Sequence, residues 1–360
     1  MIAQWHRRLA AIRDAGRWRQ TKVLTPTGPT TARLDGRDVL VACSNDYLGL
    51  AWAHRDLGAG GGSGSSRLIS GSRPIHETLE RALGDAFGGQ AVLFPSGWHA
   101  NLSVLGAVLE EGDRVASDAL NHASLIDGLR LARAKKTIVP HGDGAAWPAD
   151  VAAIVTEGLF SMDGDLAPLD ALPAGPLRIV DEAHAVGCLG PGGRGVSALL
   201  GARADIVIGT FGKALGASGA FAVGPPPFAD LVRNVARAYI FTTAPSEGTA
   251  AAALAGFQRA GRDDELRARL ATVSGALRDG LRGAGWNVLG SAHILSVVLG
   301  DDAVPTAAKL LDRGVYAAAI RWPTVPRGSE RIRLCASAAM TDADVQQILD
   351  AFGAATLDSR

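Results

Sequence analysis

Lysine is scarce in this chain of 360 residues: there are five, at positions 22, 135, 136, 213 and 309, beside 31 arginines. General basicity therefore rests on a side chain that keeps its proton. A lysine in an apolar, glycine-rich stretch stands out as a group that can, when desolvated, act as nucleophile or base. Cysteine is equally sparse. Cys43, Cys188 and Cys335 lie far apart with no Cys-x-x-Cys spacing, which excludes a cysteine-based zinc module and fits reduced thiols in a cytoplasmic protein. Neither charge is in excess, with 36 basic and 36 acidic side chains, so no whole-chain field favours nucleic acid or an anionic membrane. No charge-free apolar run reaches the ~18 residues of a membrane span, and the start, Met1-Ile-Ala-Gln-Trp-His-Arg-Arg8, has no apolar stretch behind its charges. A cytoplasmic protein with small-molecule partners is predicted, without nucleic acid or membrane.

Two catalytic signatures are also missing. No Gly-x-Ser-x-Gly occurs, which removes the serine-hydrolase elbow. Asp181-Glu-Ala-His184 spells a helicase-type Walker B sequence, yet the only Gly-Lys, Gly212-Lys213, is followed by Ala214 and has Val207 where a P-loop needs its first glycine. Gly190-Pro-Gly-Gly-Arg-Gly195 matches Gly-x-Gly-x-x-Gly only formally, because it lies well past the nearest strand end and contains a proline.

What is present is a long alternation. With 47% hydrophobic residues the chain can bury a large core. Between about 90 and 225, short apolar runs alternate with helical patterns: Ala91–Phe94, Arg114–Ala116, Thr137–Val139, Ala153–Thr156, Leu177–Val180, Ile206–Ile208 and Ala220–Val223. This predicts an α/β fold with a mostly parallel sheet and helices on both faces. Asp35-Gly36 predicts a hairpin, and a helix is expected from Ser72 as cap with Pro74 in its first turn. After about 255 the period changes, and a long amphipathic helix (Leu266, Leu270, Val273, Leu277, Leu281) opens a smaller α+β region. The expected units are an N-terminal segment 1–44, a large domain 45–255 and a small C-terminal domain 256–360.

Ala204-Asp-Ile-Val-Ile-Gly-Thr-Phe-Gly-Lys213 reads as a buried strand delivering Lys213 into a glycine-lined turn, where open α/β sheets bind ligands; a lysine reaching from a strand end to solvent is the alternative. Asp181 ends another strand and His184 follows, a pair suited to a metal, a nucleotide magnesium or a nitrogen heterocycle. In Phe94-Pro-Ser-Gly-Trp-His-Ala-Asn101, the residues Ser96, Gly97 and Trp98 open a helix and can offer a hydroxyl and amides to a phosphate, or simply cap it. His122 could stack on an aromatic ligand or cap a helix. Ser161 sits at a further strand end. Asp163 and Asp165 form a weak calcium-like pattern without the remaining ligands, so they are taken as turn formers and no metal is expected.

In register, Ser44-Asn-Asp-Tyr-Leu-Gly-Leu50, Gly64-Ser-Ser-Arg-Leu-Ile-Ser-Gly71, His122-Ala-Ser, Phe160-Ser-Met-Asp-Gly-Asp165, Asp181-Glu-Ala-His-Ala-Val-Gly187, Gly195 after Gly-Gly-Arg, Thr210-Phe-Gly-Lys213 and Ala319-Ile-Arg-Trp-Pro-Thr-Val-Pro326 resemble the α-oxoamine synthases, pyridoxal-phosphate enzymes of the aspartate-aminotransferase fold, fold type I. The resemblance implies pyridoxal 5′-phosphate on Lys213, Asp181 at its ring nitrogen, His184 and Ser161 at its phenolic oxygen and His122 on its ring face. It implies Ser96, Gly97, Trp98 and Thr210 at the phosphate, with Thr243 reaching the site of a neighbouring subunit in a homodimer with shared active sites. Asn45 and Arg333 would take an amino-acid carboxylate, with Arg321 a second candidate and Arg19 a candidate for the acid end of the acyl chain. Thr210-Phe-Gly-Lys213 and Ala319–Pro326 are most similar to the biotin-synthesis branch, implying L-alanine and a pimeloyl thioester of coenzyme A or acyl carrier protein. A glycine-using sister activity and an aminotransferase of the same fold stay open. The chain departs from the family in a short stretch between Leu50 and Gly60, in Trp322 where proline is usual, and in Met340 where histidine is frequent.

Overall fold

The computed structural model describes residues 1–55 and 61–357. The short stretch between Leu50 and Gly60 falls partly on residues 56–60, outside the described ones. Every apolar run noted above becomes a strand: β1 (Gln90–Phe94), β2 (Arg114–Asp118), β3 (Lys135–Val139), β4 (Ala153–Glu157), β5 (Leu177–Asp181), β6 (Ile206–Thr210) and β7 (Ala220–Gly224). They form a seven-stranded sheet in the order β1-β7-β6-β5-β4-β2-β3. β2 to β6 run parallel, and β7 is antiparallel to both its neighbours.

Strands β4, β6 and β7 are buried along their whole length, which is why their sequences are continuous apolar runs. The two-residue side-chain period divides the core. Phe94, Val155, Ile179 and Ile208 pack with Val104 and Leu105 of the helix Gly97–Val108. Leu93, Ile154, Val180 and Phe221 face the other way, with Leu79 and Leu83 of the helix Pro74–Phe87. The register Glu157↔Asp181 and Asp181↔Ile208 brings the carboxyl ends of β4, β5 and β6 to one edge. That edge is the ligand-binding crevice of an open α/β sheet.

Thr31–Leu34 and Arg37–Val41 form the expected hairpin, with Leu34 opposite Arg37 and both turn residues left-handed (Asp35 φ 49°, Gly36 φ 79°). The helix near 74 departs from expectation at its start. Arg73, not Ser72, holds the cap position with extended backbone, and the Arg73 amide donates to His76 Nδ1 at 3.2 Å. Ser72 Oγ instead donates to the Arg67 carbonyl at 2.9 Å and accepts from Arg67 Nε.

Val315–Tyr316 pairs in parallel with Leu40 and Val41, so the N-terminal strands and the C-terminal region share one sheet. A second four-stranded sheet holds Arg331–Cys335 between Ile294–Val298 and Ala318–Ile320, and the helices Asp264–Gly283 and Asp342–Leu357 pack against each other. We propose 1–44, 45–255 and 256–360 as the unit boundaries, with the first and third joined through that shared sheet. The first helix, Ile2–Asp14, buries none of its residues. Among the described residues no helix is long and apolar enough to cross a membrane.

Candidate active site

β6 ends at Thr210, whose hydroxyl donates to Gly219 O at 2.9 Å and accepts from the Gly212 amide at 3.2 Å, closing the turn that carries Lys213. At Gly216 the backbone is left-handed (φ 62°) and a Cβ would lie 2.4 Å from the Ala51 nitrogen, so glycine is required for the turn to lie against the helix at Leu50. No described residue hydrogen-bonds the Lys213 ammonium. Burial pushes its pKa below the ordinary lysine value, against the upward pull of Asp181 and Glu157 and with the help of Arg333.

Asp181 is buried at the end of β5, where Oδ2 accepts from Asn101 Nδ2 at 2.8 Å and Oδ1 from the Ala183 amide at 2.9 Å. These two donors fix the carboxylate plane. Asn101 comes from the helix Gly97–Val108, and its Nδ2 also donates to Ser124 Oγ at 2.8 Å. His122 caps the helix Ala123–Leu131 by accepting from the Ser124 amide, and Ser124 Oγ lies 2.7 Å from its Nδ1. The His122 amide donates to Glu157 Oε1 at 2.7 Å. Burial lowers the His122 pKa, with Asp181 opposing and Lys213 adding. Burial beside Asp181 pushes the Glu157 carboxyl well above its usual range. His122 is thus a helix cap through Nδ1, and its ring meets Trp98 edge-on at 6.0 Å.

Ser96 caps the helix Gly97–Val108 by accepting from the His99 amide at 3.3 Å. The first amides of a helix have no partner within it, and nothing lies within 4 Å of a Cβ built on Gly97, so this end opens onto free space. An anion is favoured there. Thr210, in contrast, already gives its hydroxyl proton to Gly219 O. Thr243 is exposed, in an isolated bridge to Ser66 on a surface that also exposes Phe241 and Ile69.

Arg333 is buried, and its donors go to Ser161 O (2.6 Å), Asn45 Oδ1 (3.0 Å), Cys335 Sγ (3.1 Å) and Tyr47 OH (3.4 Å). Among the described residues no carboxylate pairs with it. Ser161 therefore enters the site twice, its carbonyl holding Arg333 and its hydroxyl bound to nothing described. His184 is buried with Tyr47 OH 2.7 Å from its Nδ1, and burial, Lys213 and Arg333 push its pKa well below the ordinary histidine value. Arg321 donates to the carbonyls of Gly16 (2.7 Å) and Trp18 (2.8 Å), so it ties down the N-terminal segment. Trp322 is the neighbouring clamp, faced by the guanidinium groups of Arg17 (4.7 Å) and Arg327 (4.9 Å). Arg19 is exposed, and no described contact joins it to the Lys213 cluster.

Asp163 and Asp165 do more than form a turn. Asp163 pairs with Arg331, and Asp165 accepts from His141 Nε2 at 2.9 Å while Asp118 takes Nδ1 at 3.0 Å. His141, Asp163 and Asp165 are close enough to hold a metal ion, yet each is already paired. The two carboxylates raise the His141 pKa to about 10. A raised folded-state pKa stabilises fully below the ordinary value of about 6.5 and loses its effect as pH rises through about 10. His141→Gln is therefore expected to melt a few °C below wild type near pH 6, with the gap narrowing towards pH 10. A gap independent of pH would remove the ionic role.

The donor set fits pyridoxal 5′-phosphate. Among the described residues Lys213 offers an amine without a partner, Asp181 a fixed carboxylate, the Ser96–Trp98 helix end an open anion cradle, and Arg333 a buried cation without a carboxylate. Three contributors had not been singled out: Asn101, Glu157 and Tyr47. Each lies in or beside a quoted motif, but their roles depend on neighbours remote in sequence, and Asn101 is 80 residues from Asp181.

The aminotransferase class I and II family model matches residues 37–352. The 8-amino-7-oxononanoate synthase of Herminiimonas arsenicoxydans is 42% identical over 379 aligned positions, covering 96% of this chain and 97% of that one. An Anaeromyxobacter protein of the same name is 43% identical, covering 96% and 94%. Among solved structures, a serine palmitoyltransferase from S. paucimobilis with a bound PLP–myriocin aldimine superposes with a TM-score of 0.93 at 30% identity, over 99% of this chain and 98% of that one. The 8-amino-7-oxononanoate synthase of Francisella tularensis gives 0.76 at 25% identity, over 89% and 98%. With the family model spanning most of its length and relatives matched nearly end to end, this chain belongs to the aminotransferase class I and II family.

Proposed function

We propose that the protein is a pyridoxal-phosphate acyltransferase that condenses L-alanine with a pimeloyl thioester, releasing thiol and carbon dioxide to give 8-amino-7-oxononanoate for biotin synthesis. The observation that carries the amino-acid half is Arg333, a buried guanidinium with no carboxylate partner among the described residues. The acyl half rests on relatives bearing that name at about 40% identity. Bound at this site, the cofactor supplies an electron sink for charge developing at the amino-acid Cα.

The chain's own groups do the rest. Lys213 Nζ carries the cofactor and moves the Cα proton, a role served by its lowered pKa. Asp181 would pair with the ring nitrogen and favour its protonated form, and His184 with Ser161 would address the phenolic oxygen. His122 covers the ring. Ser96, Gly97 and Trp98 would take the phosphate, and Thr210 would join them only by giving up its hydroxyl bond to Gly219 O. Arg333 and Asn45 hold the alanine carboxylate while its Cα bonds to the acyl carbonyl carbon and the thiolate leaves. The carboxylate departs afterwards as carbon dioxide from the resulting β-keto acid. Arg321, the second candidate for the carboxylate, is committed to the Gly16 and Trp18 carbonyls and so holds the segment that carries Arg19, the candidate for the acid end of the acyl chain, and the carrier is coenzyme A or acyl carrier protein.

Thiol release tests this: kcat/KM is expected to be highest for alanine with a pimeloyl donor, compared with glycine and with acetyl or succinyl donors. One methyl group in a pocket discriminates by only about 1–3 kcal/mol, so the alanine preference should be modest. A preference for glycine with a short donor would assign a sister activity. We further propose a cytoplasmic homodimer in which Thr243 reaches the neighbouring subunit's phosphate site. Sedimentation should give twice the mass of one chain, and an active monomer would remove the shared site.

A further inference from the structure

We propose that Tyr47 is a positioning residue that fixes the protonation of His184 and links it to the arginine that takes the substrate carboxylate. Tyr47 is fully buried and rigidly held. Its carbonyl accepts from the Ala338 amide at 2.7 Å, its ring packs on His293 at 4.2 Å, and the adjoining Asp46 accepts from the amides of Leu50 and Ala51. Three groups meet its hydroxyl: Arg333 Nη2 at 3.4 Å, Asn45 Oδ1 at 3.1 Å and His184 Nδ1 at 2.7 Å.

The hydroxyl has one proton to give and two acceptors in reach. Arginine can only donate, so Arg333 occupies a lone pair of the hydroxyl oxygen. Asn45 Oδ1 already accepts from Arg333 Nη1 at 3.0 Å and is contacted by Cys335 Sγ at 3.7 Å. The proton therefore goes to His184 Nδ1, the shortest contact. His184 is neutral, with burial and two nearby cations opposing its charging, so its own proton must sit on Nε2. That makes Nε2 a hydrogen-bond donor, the group with which His184 would address the cofactor, with its tautomer set by Tyr47 at Nδ1. The same hydroxyl touches Arg333, so the carboxylate pocket and the imidazole share one group.

The inference rests on His184 addressing the cofactor's phenolic oxygen. It is independent of which amino acid or acyl donor is used, and its readout needs neither. Tyr47→Phe keeps the ring and removes the hydroxyl. In the loaded enzyme, without substrate, the pH at which the visible absorbance of the bound cofactor titrates is expected to rise by about one unit, a tenfold change in the proton equilibrium. In a His184→Ala background the same substitution should add no shift, because a residue acting through His184 has nothing left to act on. No shift in the single variant, or an equal shift in both backgrounds, overturns the proposal. Should Tyr47→Phe fail to fold, ¹⁵N spectra of histidine-labelled wild type decide, with the His184 signals identified by their loss in His184→Ala. A protonated Nε2 with bare Nδ1 supports the assignment, and the opposite tautomer overturns it.

Discussion

Lys213→Ala is expected to lower turnover by at least about 10⁴-fold and to leave a folded protein that still binds the cofactor non-covalently. Positioned proton transfer alone contributes roughly 10²- to 10⁴-fold, and this substitution also removes the covalent tether. Stability should hold or rise, because burial lowers the Lys213 pKa and its removal relieves the cost of desolvating an ammonium. The helix end at Ser96–Trp98 and the carboxylate of Asp181 remain to hold the ligand. Borohydride reduction of the loaded wild-type enzyme followed by peptide mapping should label Lys213. Label on Lys22, Lys135, Lys136 or Lys309 would sink the assignment.

Asp181→Asn should reduce kcat by about 10- to 10³-fold, the range set by a carboxylate that raises its partner's pKa by roughly 1–3 units. The fold should tolerate it. The new amide oxygen still accepts from Ala183, and Asn101 can turn its side chain to present Oδ1, a buried oxygen that has no partner in the wild type. Activity at the wild-type rate would refute the role, whereas loss of cofactor binding together with a lowered melting temperature would mean that the charge serves structure instead.

The centre of the large sheet was readable in the sequence because β4, β6 and β7 are buried along their whole length, so each is a continuous apolar run between turn residues, while the mostly exposed edge strand Lys135–Val139 showed only as the short run Thr137–Val139. The two-residue strands Val288–Leu289 and Val315–Tyr316 were not, since a stretch so short shows no period and is specified only by its partner. Ser72 illustrates a competing local bond: a serine before a proline reads as a cap, but Arg67 claims its hydroxyl. Of the candidate site residues, Lys213, Asp181 and His184 stand out in the sequence by residue type at or just past strand ends. Asn101 reads from sequence as an ordinary helical amide, and only the packing of its helix against β5 turns it towards Asp181. His141 likewise became a doubly paired cation only when Asp118 and Asp165 met it in space.

The hydrogen bond between Asn45 and Arg333 spans 288 residues, and it lies beside the backbone bond from the Cys335 amide to Ala42 O. During synthesis the chain emerges amino end first, so the lysine turn and the helix end at Ser96–Trp98 can be in place while Arg333 and its bond to Asn45 are still missing. The N-terminal strands must wait as an unpaired edge until Val315–Tyr316 arrives beside Leu40 and Val41, a contact whose closing loop makes it late and slow. On the roles proposed above, the newborn chain would hold the groups that take the cofactor before it holds the arginine that selects the amino acid.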